Sequence, residues 1–366
     1  MIRSKPVDRI FLGIVGALLL TGLLIFTSAS LGLLARSGAS FSSVALNQFL
    51  AVLGGCVLAF FFSKIHYSFW RRWSFYIFIF SIFLTLLVFV PQIGLTFGGG
   101  KRWIALGSFS FQPAEFLKAA FVIYTAAWLS GVKEKAATFK EGMLPIVILL
   151  VIVGVILLKQ PDTDTFISIF LAALGMFIVA GGRLRHLFIL MVVATLGFGA
   201  LVYTRPYLMQ RISTFIDPQA NPLSSGYQIQ QSLIAIGSGE IFGRGFGQSI
   251  QKFSYLPEPV GDSIFAVAAE EFGFIGGAFL ILLFLFFTLR SFRLAVKAPD
   301  LFGGLLVVGI AILIVSGSFM NIASMLGVIP LSGLPLLFVS HGGTAMLITL
   351  AEVGILLNIS RFRKIT

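Results

Sequence analysis

Long apolar runs separated by short polar segments constrain this chain more than any other feature of its sequence. Ten runs are candidates to cross a membrane, at about 10–34, 45–63, 74–90, 113–129, 143–158, 165–180, 187–202, 263–289, 301–320 and 342–359. Hydrophobic residues make up 58% of the 366 residues and charged residues 11%, which is more apolar surface than a soluble core can bury. Spanning segments have to pair their own backbone groups and therefore form helices. The sequence predicts an all-α polytopic membrane protein, with residues 1–366 forming one integral membrane domain.

The distribution of basic residues predicts the orientation of the chain. Most of the 26 Lys and Arg lie in the N-terminal segment, in alternate loops and in the C-terminal tail. Because cytoplasmic loops carry the excess of basic residues, we expect both termini to be cytoplasmic. The net charge of +12 then reflects topology, with membrane lipids as the surroundings and no nucleic acid as a partner. The first run lacks a small-residue cleavage pattern and is expected to be a retained span. The single cysteine, Cys56, excludes an intrachain disulfide.

Two segments are predicted to depart from plain spanning helices. Residues 203–262, between the seventh and eighth runs, form the longest outer loop and contain an amphipathic piece and a glycine-rich piece. We expect a helix on the membrane surface, followed by a flexible loop that shapes a groove at the bilayer edge. Residues 321–341 carry no Lys, Arg, Asp or Glu and include Pro330, Gly333 and Pro335. Irregular backbone at membrane depth has to be buried in protein or line a cavity, so a broken or re-entrant segment is predicted before the last span.

Asp262 is the acid that this topology places at the outer boundary of the membrane. It ends a loop that is stiffened by Pro257 and Pro259, and the eighth apolar run begins directly after it. An aspartate at a helix start often serves as an N-cap, and Ser263 beside it has the same preference. From residue type alone, Asp262 is either a cap or a catalytic carboxylate.

Basic residues lie at two other outer positions. Lys101 and Arg102 follow a glycine run in the segment 91–112, a pattern that suits an anionic ligand such as phosphate and equally suits an ordinary interfacial loop. Lys118 is the single Lys or Arg within an apolar run, and Glu115 lies three residues before it on the same helix face. An ionisable residue at that depth is a functional candidate. The alternative is a lysine whose side chain extends to the membrane surface.

Two further acids raise the question of a metal. Asp162 and Asp164 lie in the sequence KQPDTDTF, between the fifth and sixth runs. Two carboxylates without further donors are a weak signal for a divalent cation, Mg²⁺ or Mn²⁺, and helix capping is the favoured role. His66 and His186 lack ligand spacing and give no zinc motif. A divalent cation is the one cofactor that the sequence leaves open.

Four stretches together resemble one family of membrane proteins. They read GKRWIALGSFSFQPAEFLK, GYQIQQSLIAIGSGEIFGRGFG, YLPEPVGDSIFAVAAEEFGFIG and GVIPLSGLPLLFVSHGGTA. Over nearly its whole length the chain resembles the SEDS family (shape, elongation, division, sporulation), the lipid II polymerases of bacterial cell walls. The segments DRIFLG, SFSFQPAEFLK and STFIDPQANPLSSGYQ are more similar to the division branch, FtsW, than to the elongation branch, RodA.

The resemblance implies a ten-span peptidoglycan glycosyltransferase in the bacterial cytoplasmic membrane, with its active site facing outward. In this family the acid that follows the LPE motif is essential, and Asp262 matches it. Arg102 matches the arginine of the family's RRW motif, and Glu115 and Lys118 match the acid and the lysine of its QPSE segment. Neighbouring motif residues that the resemblance suggests for substrate binding are Lys101, Gln112, Glu258, Ser340 and His341.

Four motifs depart from the family pattern. This chain has KRW in place of RRW, VGD in place of HTD, QPDTDT in place of PDLGT and SHGG in place of SYGG. The last two departures bear on the roles of Asp164 and His341, whereas the acid at Asp262 is kept.

The chemistry of such a polymerase needs one carboxylate and nearby cations. A base takes the proton from the attacking sugar hydroxyl, and positive charge stabilises the departing diphosphate. Because diphosphate is already a good leaving group, a second carboxyl acid is not required. Our hypothesis makes Asp262 the general base toward the 4-hydroxyl of the acceptor. Lys118 and Arg102 then hold the donor diphosphate, Glu115 positions Lys118, and inversion at the anomeric carbon gives a β-1,4 linkage.

Two other functions fit the same sequence pattern. A lipid II flippase would use the same basic outer groove, and a non-catalytic division scaffold would need neither base nor cations. For a polymerase, the resemblance implies a class B penicillin-binding protein as the transpeptidase partner, together with other division or elongation proteins.

Overall fold

The computed structural model describes residues 6–34, 38–97, 100–106, 109–219 and 225–362. Its α-helices are α1 (Arg9–Leu34), α2 (Gly38–Lys64), α3 (Ser68–Leu87), α4 (Pro113–Val132), α5 (Leu144–Lys159), α6 (Thr163–Val179), α7 (Leu184–Thr204), α8 (Pro206–Ile216), α9 (Ser225–Ser238), α10 (Ile264–Val296), α11 (Leu301–Met325) and α12 (Gly343–Arg361). Within these described ranges, nine helices are long and apolar enough to cross a membrane, and α6 is a shorter apolar helix. The chain is a multi-pass membrane protein.

Each predicted span coincides with one helix, so the all-α polytopic fold is confirmed. The spans correspond to α1 through α7 and α10 through α12, while α8 and α9 lie in the long segment before α10. Counting α6 with the nine longer helices gives ten apolar helices in the described residues. Residues 326–342, between α11 and α12, form neither helix nor strand, and residues 331–340 are mostly buried, as the prediction of a broken segment requires.

α10 ends beyond its predicted span and consists of two helices that meet at a break. Its 33 residues include Gly273, which has the non-helical angles φ 65° and ψ −164°. Residues 274–296, beyond this break, would extend ~34 Å as an ideal helix, close to the thickness of the hydrocarbon core. The part before the break therefore rises into the region where Asp262 lies.

A small antiparallel sheet occupies the predicted outer segment 91–112 and is an addition to the all-α expectation. Its strands, in sheet order, are β1 (Gly94–Phe97), β2 (Gly100–Leu106) and β3 (Phe109–Phe111). Leu95 lies opposite Trp103, and Ile104 lies opposite Phe111, so apolar cross-strand pairs support the sheet. Of the predicted flexible glycine run, positions 98 and 99 lie outside the described residues, and Gly100 begins β2. Arg102 is thus carried by a strand.

Small residues let the central helices approach one another closely. α4, α11 and α12 are the most buried spans, and α7 lies at the periphery. A Cβ atom on Gly354 of α12 would lie 2.5 Å from the carbonyl oxygen of Ala59 in α2. A Cβ atom on Gly22 of α1 would lie 2.0 Å from the carbonyl oxygen of Phe338 in the irregular segment. Such contacts gain dispersion energy, which largely drives helix association in lipid.

We expect Gly22→Ala to destabilise the protein by about 1–3 kcal/mol, because the added methyl group would displace the packed backbone at Phe338. Gly16→Ala in the same helix is the matched control, since a Cβ atom there meets no atom within 4 Å. Thermal unfolding in detergent should give a lower Tm for Gly22→Ala alone. Equal Tm values for the two variants would contradict the close packing.

Candidate functional site

Asp262 lies at the end of the loop that precedes α10, and it is not the N-cap of that helix. Ser263 occupies the N-cap position without making a side-chain cap hydrogen bond. Instead, the backbone carbonyl of Asp262 accepts a hydrogen bond of 2.7 Å from Asn321 Nδ2 of α11. The Asp262 carboxylate is therefore left free of helix capping, while its backbone is fixed to α11.

The surroundings of Asp262 favour its protonated form. Burial is the main cause that raises the pKa of the Asp262 carboxyl to about 7, and the carboxylates of Glu258 and Asp164 add to the effect. Arg211 and Arg102 act in the opposite direction. Two acids and two arginines on four different segments thus act electrostatically on this one side chain, which titrates near neutral pH.

Two guanidinium groups converge at Gly333, and both act electrostatically on Asp262. A Cβ atom on Gly333 would lie 3.6 Å from Arg211 Nη2 and 4.0 Å from Arg102 Nη1. Arg102 donates from Nε to the Gln160 carbonyl at 3.2 Å and also donates to the Pro161 carbonyl. The missing side chain at Gly333 leaves room between the two cations, and the turn between α5 and α6 fixes the orientation of one of them.

Asp162 and Asp164 are partners of these arginines. Asp164 Oδ2 accepts hydrogen bonds of 2.9 Å from Arg211 Nη1 and from the Gly333 backbone nitrogen. Asp162 Oδ1 lies 3.9 Å from Arg102 Nη1. Burial raises the pKa of the Asp162 carboxyl, and Arg102 acts against that rise.

The favoured capping role of these two acids is wrong. Asp162 occupies the N-cap position of α6 but makes no side-chain cap hydrogen bond, because its carboxylate faces the arginine. Among the described residues, no group of three or more His, Cys, Asp or Glu is arranged to hold a metal ion. Of the oxygens that the sequence offered to a divalent cation, Asp164 Oδ2 binds Arg211, and Asp162 Oδ1 lies 3.9 Å from Arg102.

Lys118 belongs to a second buried cluster. Its Nζ lies 2.9 Å from Glu115 Oε2, so the predicted ion pair is present. Lys118 is only 7% exposed, which shows that its side chain does not extend to the membrane surface. Glu352 of α12 interacts electrostatically with both residues of the pair. Glu115 also acts electrostatically on Asp162, so this cluster adjoins the arginine site.

The remaining predicted residues differ in their relation to Asp262. Glu258 has a positive φ of 45°, and its carbonyl accepts from the Gly261 and Ser263 nitrogens, so it forms the turn that leads into Asp262. Gln112 precedes α4, and its backbone nitrogen donates to Thr344 Oγ1 at 3.2 Å. Arg102 is an extra residue in β2, because the pairing with β1 passes from Trp103 directly to Lys101, and such a bulge changes the direction of the side chain. Among the described contacts, Lys101 has none with Asp162, Asp164 or Arg211.

Ser340 and His341 hold the irregular segment against the Asp262 loop. Ser340 Oγ donates to the Gly261 carbonyl at 2.8 Å, and the His341 backbone nitrogen donates to the Val260 carbonyl at 2.7 Å. The His341 ring stacks on Phe26 of α1, with a centroid distance of 6.0 Å. These two residues therefore fix the irregular segment to the loop that leads into Asp262.

Three residues at the site were not predicted from the sequence. Arg211 lies on the amphipathic helix α8, and its presence among the few cations of the outer loop was the available signal. Asn321 and Glu352 are polar residues within apolar runs of α11 and α12, a feature that marks functional candidates in membrane helices.

Comparison with known proteins places the chain in context. Residues 8–365 match the model of the FtsW, RodA and SpoVE family, which is described as cell cycle protein. Stage V sporulation protein E of Bacillus subtilis (strain 168) is 38% identical over 365 residues and covers 100% of both chains. A probable peptidoglycan glycosyltransferase FtsW of Geobacter sp. (strain M18) is 40% identical over 296 residues, 81% of each chain.

Solved structures share the fold. A chain from work on the structural coordination of polymerization and crosslinking by a peptidoglycan synthase complex superposes with a TM-score of 0.81, 27% identity and 98% coverage of both chains. The rod shape determining protein RodA of Thermus thermophilus gives a TM-score of 0.72 with 25% identity, and 98% of both chains is covered.

Proposed function

The chain belongs to the family of FtsW, RodA and SpoVE, and from this premise we propose that it is a peptidoglycan glycosyltransferase that polymerises lipid II on the outer face of the cytoplasmic membrane. The observation that carries the proposal is the Asp262 carboxylate, which lies at the start of a spanning helix within electrostatic reach of Arg102 and Arg211. This arrangement unites a base with two cations that suit a diphosphate. Relatives that are named as probable peptidoglycan glycosyltransferases support the same class of reaction.

Asp262 is the general base in this proposal. Its carboxylate takes the proton of the acceptor's 4-hydroxyl as that oxygen forms a bond to the anomeric carbon of the donor sugar. The bond between this carbon and the diphosphate oxygen breaks, and its electron pair leaves with undecaprenyl diphosphate. Attack opposite the leaving group inverts the anomeric centre and gives a β-1,4 linkage. A carboxyl group with a pKa of about 7 is a stronger base than an ordinary aspartate and is still largely ionised slightly above neutral pH.

Arg102 and Arg211 are proposed to hold the donor diphosphate. Guanidinium groups form charge-assisted, bidentate hydrogen bonds with phosphate oxygens, and these bonds stabilise the negative charge that develops on the leaving group. Lys118, with Glu115 as its positioning partner, is proposed as a further cation for the diphosphate, since Glu115 lies within electrostatic reach of Asp162. Arg211 thus joins the two cations of the sequence-based hypothesis.

A transpeptidase partner follows from one structural comparison. The similar chain with the TM-score of 0.81 comes from a peptidoglycan synthase complex that couples polymerization to crosslinking. We therefore propose that a class B penicillin-binding protein binds this chain and crosslinks the glycan strand that it makes. Flippase activity and a scaffolding role are the alternatives that the following experiments separate from polymerisation.

Asp262→Asn should abolish polymerisation of labelled lipid II by the purified protein, because the amide keeps the size of the side chain and removes its basicity. A fall of about 10²- to 10⁴-fold in rate is expected from the loss of a general base. Asp217→Asn is the matched control, since Asp217 lies in the same outer segment, is exposed and bonds only locally to the Gln219 nitrogen in the described contacts. Retained polymerisation in Asp262→Asn would exclude the catalytic role and favour a flippase or a scaffold.

The rate of polymerisation should increase as the pH rises to about 7, because Asp262 acts in its deprotonated form. Below that pH the rate should decrease about tenfold for each pH unit. Glu258 raises this pKa, so Glu258→Gln should move the acid limb to lower pH. Measured pH–rate profiles of the parent and of Glu258→Gln check the sign. An acid limb near pH 4 in the parent would contradict the burial of the base.

Arg102→Ala and Arg211→Ala should each lower kcat/KM by about 10²- to 10³-fold, because each removes one cation from the leaving group. Lys101→Ala is the neighbouring control, since Lys101 makes no ion pair with the acids of the site in the described contacts, and it should retain most activity. Steady-state kinetics with lipid II in detergent micelles provide the measurement. A loss in Lys101→Ala as large as that in Arg102→Ala would show that the charge of the sheet matters more than its geometry.

A further inference from the structure

A buried ion pair closes the base of the loop that carries Asp262. Lys252 is fully buried, and its Nζ lies 2.6 Å from Oε1 of the buried Glu271 in α10. Ser28 of α1 joins the pair, because its Oγ donates to Glu271 Oε1 at 2.6 Å and accepts from Lys252 Nζ at 3.0 Å. The Lys252 ammonium also donates to the Gly247 carbonyl at 2.9 Å. Each donor of this ammonium therefore has a partner.

Glu270 fastens the same loop from the neighbouring position. Its carboxylate accepts from Ser249 Oγ at 2.6 Å and from the backbone nitrogens of Ile250 and Gln251 at 3.0 and 3.3 Å. These nitrogens belong to the start of the 3₁₀ turn Gln251–Phe253, which has no helical acceptors for them. Arg244 Nε lies 3.5 Å from the same carboxylate. Two adjacent glutamates of α10 thus hold residues 249–252.

The break at Gly273 explains why the loop can reach this depth. A continuous helix would bond the carbonyls of Glu270 and Glu271 to the nitrogens four residues later. Here they accept from the nitrogens of Arg244 and Gly245, both at 3.0 Å. In return, Phe274 and Ile275 donate to the carbonyls of residues 240 and 241, at 2.8 and 3.2 Å. The glycine-rich loop therefore replaces the lost helical hydrogen bonds, which a membrane protein has to satisfy internally.

The Lys252–Glu271 pair joins the two ends of the segment 252–271, which consists of the loop before α10 and the first turns of that helix. This ion pair is the base of the loop. Asp262 lies at its middle, ten residues after Lys252 and nine before Glu271. α1 presses on the base, since a Cβ atom on Gly32 would lie 2.4 Å from the Lys252 carbonyl oxygen. The far end is held by the bond from Asn321 to the Asp262 carbonyl. A shift of the Lys252–Glu271 ion pair would therefore also move the Asp262 carboxylate, because the segment between them is short and is held at both ends.

We propose that Lys252, Glu271 and Ser28, together with Glu270 and Ser249, are positioning residues that fix the Asp262 carboxylate against Arg102 and Arg211. The catalytic part of this inference rests on the proposed glycosyltransferase function, whereas the mechanical part does not. Burial of an ion pair is by itself weak evidence of stability, because desolvation offsets the attraction. A pair of fixed geometry does, however, define one position for the segments that it joins.

The test uses two mild variants, Ser28→Ala and Ser249→Ala, in the full chain in nanodiscs. Each removes one buried hydroxyl from the cluster and keeps all of its charges. Ser291→Ala is the matched control, since Ser291 is a fully buried serine of α10 whose Oγ bonds only to the Phe287 carbonyl of its own helix in the described contacts. Hydrogen exchange of peptides that cover residues 254–262 reports the mobility of the loop without any enzymatic assay. Steady-state kinetics and pH–rate profiles report the position of the carboxylate.

We expect backbone exchange of residues 254–262 to accelerate about tenfold in both variants and to stay unchanged in Ser291→Ala. We also expect kcat per folded protein to fall by about 10- to 100-fold while KM changes little, because the base is misplaced and the diphosphate arginines are intact. The acid limb of the profile should move to lower pH, because a looser loop admits water to Asp262. The charged groups that face Asp262 are Glu258, Asp164, Arg211 and Arg102, and neither variant alters them.

Two outcomes would overturn the inference. Unchanged exchange over residues 254–262 would show that the cluster does not hold the loop, whatever the kinetics. Faster exchange or a lower yield of folded protein, with kcat per folded protein and the acid limb both unchanged, would leave only a structural role. If the parent did not polymerise lipid II, or if Asp262→Asn were fully active, the proposed function would fail, and the exchange experiment would still decide whether the cluster fixes the loop.

Discussion

The site depends on one constraint, which is that a charge placed within protein at the membrane boundary needs a partner. Asp164 meets it most directly, because one oxygen of its carboxylate binds both the Arg211 guanidinium and the Gly333 backbone nitrogen. That single oxygen joins α6, the surface helix α8 and the irregular segment before α12. The second arginine, Arg102, donates to two backbone carbonyls of the turn before α6, and Asp162 Oδ1 lies 3.9 Å from it. The cations that act on Asp262 are therefore held in place by acids of α6 and by the turn that precedes it.

Backbone hydrogen bonding imposes a second constraint of the same kind. Irregular backbone inside a membrane protein has to find partners within the protein. The break of α10 at Gly273 is satisfied by the glycine-rich loop, and the segment 326–342 is satisfied in part by Asn321, Ser340 and His341. Both irregular regions border the Asp262 loop. The Asp262 loop is therefore held on two sides by hydrogen bonds to backbone groups that are not paired within regular helices.

Sequence reasoning succeeded where the physical signal was local. Apolar runs gave the ten spans, and a three-residue spacing gave the Glu115–Lys118 pair. Reasoning failed where distant segments compete for one side chain. Asp162 was expected to cap its own helix. Arg102, which comes from a distant part of the chain and bonds to the Gln160 carbonyl, lies close enough to pair with the Asp162 carboxylate instead. Lys118 likewise lies within the protein, where Glu115 pairs with its ammonium group and Glu352 interacts with it electrostatically.

The sequence alone determined the class of fold and the positions of the apolar helices, and it identified Asp262 as the candidate acid at the membrane boundary. These follow from hydrophobicity, basic residues and motif residues, each of which acts over a short stretch of chain. The tertiary structure alone decided which cations face Asp262, why its pKa lies near 7 and how its loop is closed. Those properties are sums over residues that are far apart in the chain, and only their arrangement in space sets the distances on which electrostatics and desolvation depend.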